Sequence, residues 1–280
     1  MRTPIVLTLT AALVGFASAG CDRIHSYIDE VEGPKMTTRV IVLDASKSIS
    51  EDGRQREANV VKRFVLATTK RGDRVILLPV MEDADSEASG HSLSLQRSSE
   101  RSICDADSAA FEATAEKQID TFLSDLQAQP GRRTDLLGAL RVANEYLESV
   151  PAGSSKEIIV LSDFIQDTGG MDFDSDPRLA NSEHARQLAL TLTDSGIVVP
   201  SQTKVMLGEV GSTDLGRLSP QRRDAIRKFW QTYMSAQHVQ TAIQTDGVGQ
   251  LQVRLQEVAA EAEHLPIACK DDTVQAAERR

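Results

Sequence analysis

Four short apolar runs, separated by segments with helical periodicity, constrain the fold of this chain more than any other feature. They are rich in β-branched residues and too short for helices, as is typical of buried parallel strands. The runs are Arg39–Leu43, Arg74–Val80, Glu157–Leu161 and Thr203–Leu207. The helical segments are Glu51–Thr69, Ala109–Ala128, Asp135–Ser149, Glu183–Asp194, Pro220–Ala236 and Gly249–Glu263. This alternation predicts an α/β fold, a doubly wound and mostly parallel sheet with helices on both faces.

Two further strands are predicted at the margins of this sheet. His91–Gln96 alternates polar and apolar residues, which is typical of a half-exposed edge strand. His238–Ile243 is predicted as the last strand. No internal repeat is visible in the 280 residues, so we expect one domain over residues 38–246, followed by a C-terminal helix and tail over 247–280.

The chain carries a formal net charge of −10, spread along the sequence without a run of like charges. Binding to nucleic acid requires a basic face for the phosphates, so this charge argues against a nucleic-acid partner. A distributed acidity favours solubility and does not by itself identify a partner.

The first 20 residues predict a signal peptide, because Arg2 precedes an apolar stretch, Ile5–Phe16, that is too short to span a bilayer well. Two cleavage sites compete. Cleavage after Ala19 would release a soluble periplasmic or secreted protein, whereas Ser18–Cys21 resembles a bacterial lipobox. We favour lipidation of Cys21, because a lone cysteine after the small residues has no other obvious use. A lipid anchor would hold the domain on the periplasmic side of the membrane.

Lipidation of Cys21 would leave Cys104 and Cys269 as the remaining cysteines. In an oxidising compartment these two could form a disulfide between the loop before a helix and the C-terminal tail. Two unpaired thiols are the alternative, because spacing in the sequence does not establish proximity. Residues 22–37 are polar and predict a linker from the anchor to the domain.

Oxygen-bearing side chains follow the first predicted strand at every second position, as Asp44, Ser46 and Ser48. Ligands of open α/β sheets bind where the strands end at their carboxyl edge. A carboxylate and two hydroxyls there form an all-oxygen corner, which suits Mg²⁺, Mn²⁺ or Ca²⁺ rather than zinc.

This Asp-x-Ser-x-Ser pattern resembles the metal-ion-dependent adhesion site of von Willebrand factor type A domains. That pattern also has a threonine that opens a helix after a loop, where Thr134 stands, and an aspartate that ends a later buried strand, where Asp163 stands. The three parts occur here in the family's order, and the resemblance covers roughly residues 38–246. It also implies a short antiparallel strand within Met81–Cys104.

The resemblance implies a role for each of these residues. Ser46, Ser48 and Thr134 would offer hydroxyl oxygens to the ion, while Asp44 and Asp163 would hold coordinated waters and orient the hydroxyls. If neither carboxylate binds the ion directly, the ion stays electrophilic and can recruit a carboxylate from a protein partner. We therefore expect a non-enzymatic, membrane-tethered binding module whose cofactor is Mg²⁺, or Mn²⁺ or Ca²⁺.

Two alternatives come from other functional classes. Phosphatases of the haloacid-dehalogenase type also place an aspartate after a first strand, so Asp44 could be a nucleophile, but these enzymes need a second aspartate where this chain has Ser46. A metal-free scaffold could contact partners through Phe229, Trp230 and Tyr233, although aromatic residues at helical spacing usually indicate core packing. We find no nucleophile elbow, Walker loop or His-Glu-x-x-His motif, so we expect no enzyme.

Overall fold

The computed structural model describes residues 36–80, 82–83, 91–99, 106–168, 170–194, 199, 203–239, 241 and 243–263. The predicted signal peptide, the predicted lipidation site Cys21 and nearly all of the predicted linker lie outside the described residues. Cys104 and Cys269 lie outside them as well, so their pairing stays a prediction. Among the described residues, no helix is both long enough and apolar enough to cross a bilayer.

In the part of the chain that the structure describes, six strands form the main sheet and two more form a small hairpin. The strands are β1 (Thr37–Asp44), β2 (Arg74–Val80), β3 (Leu93–Gln96), β4 (Ser155–Ser162), β5 (Asp167–Thr168), β6 (Met171–Asp172), β7 (Thr203–Glu209) and β8 (Ile243–Gln244). The order in the main sheet is β3-β2-β1-β4-β7-β8, and β5 pairs with β6. All neighbours in the main sheet are parallel except β2 and β3, which are antiparallel. The predicted mostly parallel sheet with one antiparallel edge strand is confirmed.

Helices cover both faces of this sheet, as predicted. They are α1 (Glu51–Thr68), α2 (Ala106–Ala128), α3 (Leu136–Glu148), α4 (Ser182–Thr193), α5 (Thr213–Arg217), α6 (Pro220–Ala236) and α7 (Gly247–Glu263). Alternate residues of each strand point to opposite faces. Val40 and Val42 of β1 therefore pack with α3, α4 and α6, whereas Ile41 and Leu43 pack with α1, α2 and α7.

The strand order brings the candidate site residues to one edge of the sheet. β1 lies in the middle, and its neighbour β4 runs parallel to it with Leu43 opposite Leu161. Asp44 ends β1, and Asp163 follows the last residue of β4. Parallel strands in this register end together, so the two carboxylates come to the same carboxyl edge.

The predicted last strand, His238–Ile243, is wrong in its position, because the strand is Ile243–Gln244. His238 has φ +60°, in the left-handed region that a strand residue does not adopt. The N–H groups of His238 and Val239 donate to carbonyls of α6, so the chain is closing that helix here. The first residues of the predicted strand therefore belong to a helix end.

Gly247 begins α7 and lies directly against Gly208 of β7, because a Cβ atom at residue 247 would come within 3.0 Å of backbone atoms of Gly208. Gly247→Ala should lower the free energy of unfolding by about 1–3 kcal/mol, as overpacking does elsewhere. Urea denaturation measures this change. Gly216→Ala is the control, since a Cβ at this position in α5 meets no atom within 4 Å. Equal effects of the two substitutions would contradict the close approach.

Candidate metal centre

The loop after β1 carries Asp44, Ser46 and Ser48 and is held in a defined shape. Asp44 Oδ1 accepts a hydrogen bond from the backbone N–H of Ser46 at 2.9 Å. The hydroxyls of Ser46 and Ser48 lie 2.8 Å apart. The loop ends where Ser50 caps α1, its Oγ accepting from the N–H of Gly53 at 3.1 Å. Lys47 points to solvent.

Asp163 joins this loop through Ser48, whose hydroxyl donates to Asp163 Oδ2 at 2.9 Å. A serine hydroxyl has one proton to donate, so the proton between Ser46 and Ser48 comes from Ser46. The other carboxylate oxygen, Asp163 Oδ1, accepts from the N–H of Ile165 at 3.0 Å. Hydrogen bonds thus connect Asp44, Ser46, Ser48 and Asp163 in one chain.

Thr134 lies in a segment attached to both of these loops by backbone hydrogen bonds. Gly131 donates to the carbonyl of Ala45 and accepts from the N–H of Lys47, each at 3.0 Å. The carbonyl of Thr134 accepts from the N–H of Asp167 at 2.9 Å. Thr134 itself is buried and stands two residues before the first residue of α3, whose N-cap is Asp135. Backbone hydrogen bonds therefore connect the segment of Thr134 to the loops that carry the other four predicted site residues.

Three residues that the sequence analysis did not single out complete the framework. Ser162 donates to Asp44 Oδ2 at 2.7 Å. Gln166 Oε1 accepts from the N–H groups of Leu136 and Leu137 at the start of α3, at 2.8 and 3.1 Å. Ser212 caps α5, its Oγ accepting from the N–H of Leu215 at 2.9 Å, and it acts to lower the pKa of Asp163. A serine before a helix at the carboxyl end of the next strand is the signal that could have pointed to Ser212.

Two ionisable residues of α1, Arg54 and Glu57, lie beneath the loop that carries the serines. The Arg54 guanidinium donates to the carbonyls of Ile49 and Ser46, the latter at 3.4 Å. Glu57, one turn further along α1, is only 4% exposed, and neither of its carboxylate oxygens has a hydrogen-bond partner in the described part of the chain. A cavity of about 30 Å³, lined by Asp44, Arg54 and Glu57 among others, lies at this point. A space of this size can hold a water molecule between polar groups.

The site concentrates negative charge in a buried place. Burial raises the pKa of Asp163 to about 7, with a further contribution from the charge of Asp44. Burial also raises the pKa of Asp44, although hydrogen bonds from Ser162 and Ser46 act in the opposite direction. The pKa of Glu57 is raised as well, by burial and then by Asp44. An ionised Asp44 and Asp163 side by side repel each other, so a cation between them would be favourable.

The donor set fits a hard divalent cation. The two carboxylates accept their hydrogen bonds from hydroxyls and backbone N–H groups, so their negative charge remains available to an ion. Within the described ranges, no group of three or more His, Cys, Asp or Glu side chains could hold a metal ion. The candidate centre differs from such clusters because it combines two carboxylates with serine hydroxyls, which are oxygen ligands suited to Mg²⁺.

No protein-family model matches the chain, and no curated protein matches its sequence. The pilus adhesin SpaC from Lactobacillus rhamnosus GG, in its open conformation, aligns at a TM-score of 0.50 and 14% identity, over 82% of this chain and 30% of SpaC. BatB, a conserved hypothetical protein from Bacteroides thetaiotaomicron, aligns at a TM-score of 0.42 and 14% identity, over 81% of this chain and 99% of BatB. Manganese-loaded TRAP protein from Plasmodium vivax aligns at 0.40 and 9% identity, over 78% of this chain and 72% of that one.

These likenesses concern the fold, since at such identities a shared activity does not follow. The alignment with SpaC spans most of this chain but less than a third of the adhesin. Together with the sheet order and the helices on both faces, it identifies the architecture of this chain as the mostly parallel α/β fold of von Willebrand factor type A domains.

Proposed function

We propose that this chain is a non-enzymatic binding module that holds a divalent cation and uses it to bind an acidic group of a protein partner. The residues that would hold the cation are Asp44, Ser46, Ser48, Thr134 and Asp163, and the cation is Mg²⁺, or Mn²⁺ or Ca²⁺. The observation that carries this proposal is the hydrogen-bonded chain from Asp44 through Ser46 and Ser48 to Asp163 at the carboxyl edge of the sheet.

The arrangement supports a division of roles among these residues. Asp163 accepts a hydrogen bond from the Ser48 hydroxyl, and Asp44 accepts one from the backbone N–H of Ser46, so both carboxylates orient the serines. Groups that orient metal ligands in this way tune affinity strongly. A bound Mg²⁺ would supply a position for a carboxylate of the partner, because this ion takes about six oxygen ligands.

The geometry speaks against the two alternatives. Asp44 is 3% exposed and both its oxygens accept hydrogen bonds, which suits an orienting group better than a nucleophile that must reach a substrate. The aromatic docking surface proposed for a metal-free scaffold is wrong, because Phe229, Trp230 and Tyr233 are at most 1% exposed. Their role in core packing is confirmed.

We also propose that the chain is exported and tethered on the periplasmic side of a membrane through lipidated Cys21. This proposal rests on the signal-like residues 1–20 and on the lipobox-like sequence before the cysteine. A tether would keep the candidate metal centre close to partners at or near the membrane surface.

Calorimetric titration of the purified chain with Mg²⁺ tests the metal proposal. We expect saturable binding by the wild type and a loss of affinity of about 10- to 100-fold or more in Asp44→Ala, since lost orienting groups have effects of this size. Asp52→Ala is the matched control, because Asp52 is an exposed carboxylate in the first turn of α1 and should leave binding unchanged.

Affinity capture from membranes, with and without a chelator, then tests the partner. We expect a protein that is retained with Mg²⁺ and released by the chelator. An absence of heat with both Mg²⁺ and Mn²⁺ at millimolar concentration would exclude the metal site. Phosphatase turnover that disappears in Asp44→Asn would instead support the hydrolase.

A further inference from the structure

We propose that Trp230 is a positioning residue for the candidate metal centre, although it lies on α6 and outside the set of metal-binding side chains. It would act by holding the backbone of Phe164 in an unfavourable conformation that places Asp163. This inference rests on the proposed function, since it concerns how the same site is held ready for its ion.

The backbone directly after Asp163 is strained. Phe164 has φ +63°, a left-handed conformation that is unfavourable for a bulky residue and persists only where its surroundings impose it. Phe164 is 1% exposed, so the strain sits inside the protein rather than in an exposed turn. Such strain next to a candidate binding residue points to a functional constraint.

The strained turn is connected to both carboxylates of the site. The N–H of Phe164 donates to Ser162 Oγ at 2.9 Å, and the Ser162 hydroxyl donates to Asp44 Oδ2. The next N–H, that of Ile165, donates to Asp163 Oδ1. Relaxation of Phe164 to a negative φ would redirect these neighbouring peptide groups. Both carboxylates would then lose part of the framework that orients them.

Trp230 supplies the contact that holds the turn from below. Its indole Nε1–H donates to the carbonyl of Phe164 at 3.0 Å, and the two rings lie 6.0 Å apart. Trp230 is fully buried, so loss of this donor would leave a buried carbonyl unsatisfied, which carries the cost of its desolvation. That cost opposes relaxation of Phe164, which means that this hydrogen bond can decide whether the strained conformation is kept.

The same side chain also supports the far end of the loop that begins at Phe164. The Trp230 ring lies 6.0 Å from that of Phe173, whose N–H donates to the carbonyl of Gln166 at 2.8 Å. Gln166 in turn caps α3, beside Thr134. A single buried indole therefore lies beneath the loop that connects the Asp163 and Thr134 segments of the site.

Trp230 is the only tryptophan in the chain, so its fluorescence reports on this contact without labelling. We expect Mg²⁺ to change the emission of the wild-type full chain with the same midpoint as the calorimetric titration. The change should be absent in Asp44→Ala. Emission that stays constant while calorimetry shows saturation with Mg²⁺ would overturn the inference and leave the proposed function intact.

Trp230→Phe tests the hydrogen bond itself, because it keeps an aromatic ring and removes the N–H. We expect the Mg²⁺ affinity to fall by about tenfold, the lower end of the range for residues that orient ligands. Phe64→Leu is the matched control, since Phe64 of α1 is equally buried but packs in the core on the opposite face of the sheet. It should lower the thermal stability and leave the Mg²⁺ affinity unchanged.

The two variants separate positioning from packing. A loss of affinity in Trp230→Phe alone supports the inference, and equal affinities in both variants overturn it. If Trp230→Phe does not fold, the fluorescence titration of the wild type decides. If the wild type binds neither Mg²⁺ nor Mn²⁺, the proposed function fails first, and Trp230 has no metal centre to position.

Discussion

Asp163→Asn should raise the stability of the metal-free protein at neutral pH and abolish its further stabilisation by Mg²⁺. Burial and the neighbouring charge of Asp44 raise the pKa of Asp163 to about 7, so its ionised form is unfavourable in the folded chain. Asparagine has the same shape without the charge. Since one pKa unit corresponds to about 1.4 kcal/mol, we expect a gain on the order of a few kcal/mol above pH 7.

The pH dependence of this gain has a definite sign. In the unfolded chain Asp163 has its ordinary pKa of 3.8, whereas the folded value is about 7. Between these values the folded state keeps a proton that the unfolded state has released, so the free energy of unfolding falls as the pH rises. The advantage of Asp163→Asn over the wild type should therefore grow from about pH 4 to about pH 7 and then level off.

Urea denaturation at several pH values, with and without Mg²⁺, measures both effects. The wild type should gain about 2.7 kcal/mol at a Mg²⁺ concentration 100-fold above Kd, and Asp163→Asn should gain nothing. Asp174→Asn, which alters an exposed carboxylate in the loop after β6, is the control and should behave as the wild type. If Asp163→Asn is less stable than the wild type at pH 8 without metal, this prediction is wrong.

Glu157→Ala should destabilise the fold by about 3–5 kcal/mol, the usual cost of breaking a buried ion pair. Glu157 is 7% exposed and accepts from Arg39 and, at 2.6 Å, from Arg254 of α7. Both guanidinium groups also lie 5.0 Å from the centre of the Phe64 ring. Removal of the carboxylate leaves Arg39, which is also 7% exposed, with only Thr68 as hydrogen-bond partner among the described residues.

This cluster also predicts a loss of stability in acid. Burial alone would raise the pKa of Glu157, but Arg39 and Arg254 outweigh it and lower the pKa below its ordinary value of 4.5. The carboxylate therefore contributes stability above pH 4.5, and the contribution disappears as the pH falls through the folded pKa. The difference in the free energy of unfolding between Glu157→Ala and the wild type should therefore become smaller as the pH falls below 4.5.

Urea midpoints of Glu157→Ala and Glu145→Ala provide the comparison. Glu145 pairs with Arg141 at 3.0 Å on the surface of α3, and such pairs contribute about 0.3–0.5 kcal/mol. Similar midpoints for the two variants would mean that the buried cluster contributes no more than a surface pair. A larger loss in Glu157→Ala would confirm that it anchors α7 to the sheet.

The sequence was sufficient for the sheet and for the position of the candidate site. Apolar runs at Val40–Leu43 and Ile158–Leu161 are buried on both faces, and that pattern is produced almost only by parallel strands between helices. Because parallel strands end together, the adjacency of Asp44 and Asp163 could be predicted once both were placed at strand ends. The placement of Thr134 before α3 followed from the resemblance to the family pattern, in which a threonine opens a helix after a loop.

Contacts between distant segments could not be predicted in this way. The hydrogen bond that Ser162 donates to Asp44 joins residues 118 positions apart. The hydrogen bond that Trp230 donates to Phe164 joins residues 66 positions apart. The left-handed Phe164 leaves no mark in local composition, since the residue is not glycine or asparagine. The end of α6 at His238 was missed because the hydrogen bonds and the positive φ that close a helix are not visible in a short sequence segment.

The sequence by itself determined which residue types stand at the ends of the strands, because burial periodicity is local and repeats along each element. Only the tertiary structure decided how these residues are held, since the charge of Asp163 depends on burial and on Asp44, and the shape of its loop depends on a tryptophan from another helix. Hydrogen bonds and electrostatic interactions join residues that are distant in the sequence, so the charge and the geometry of the site depend on the assembled fold.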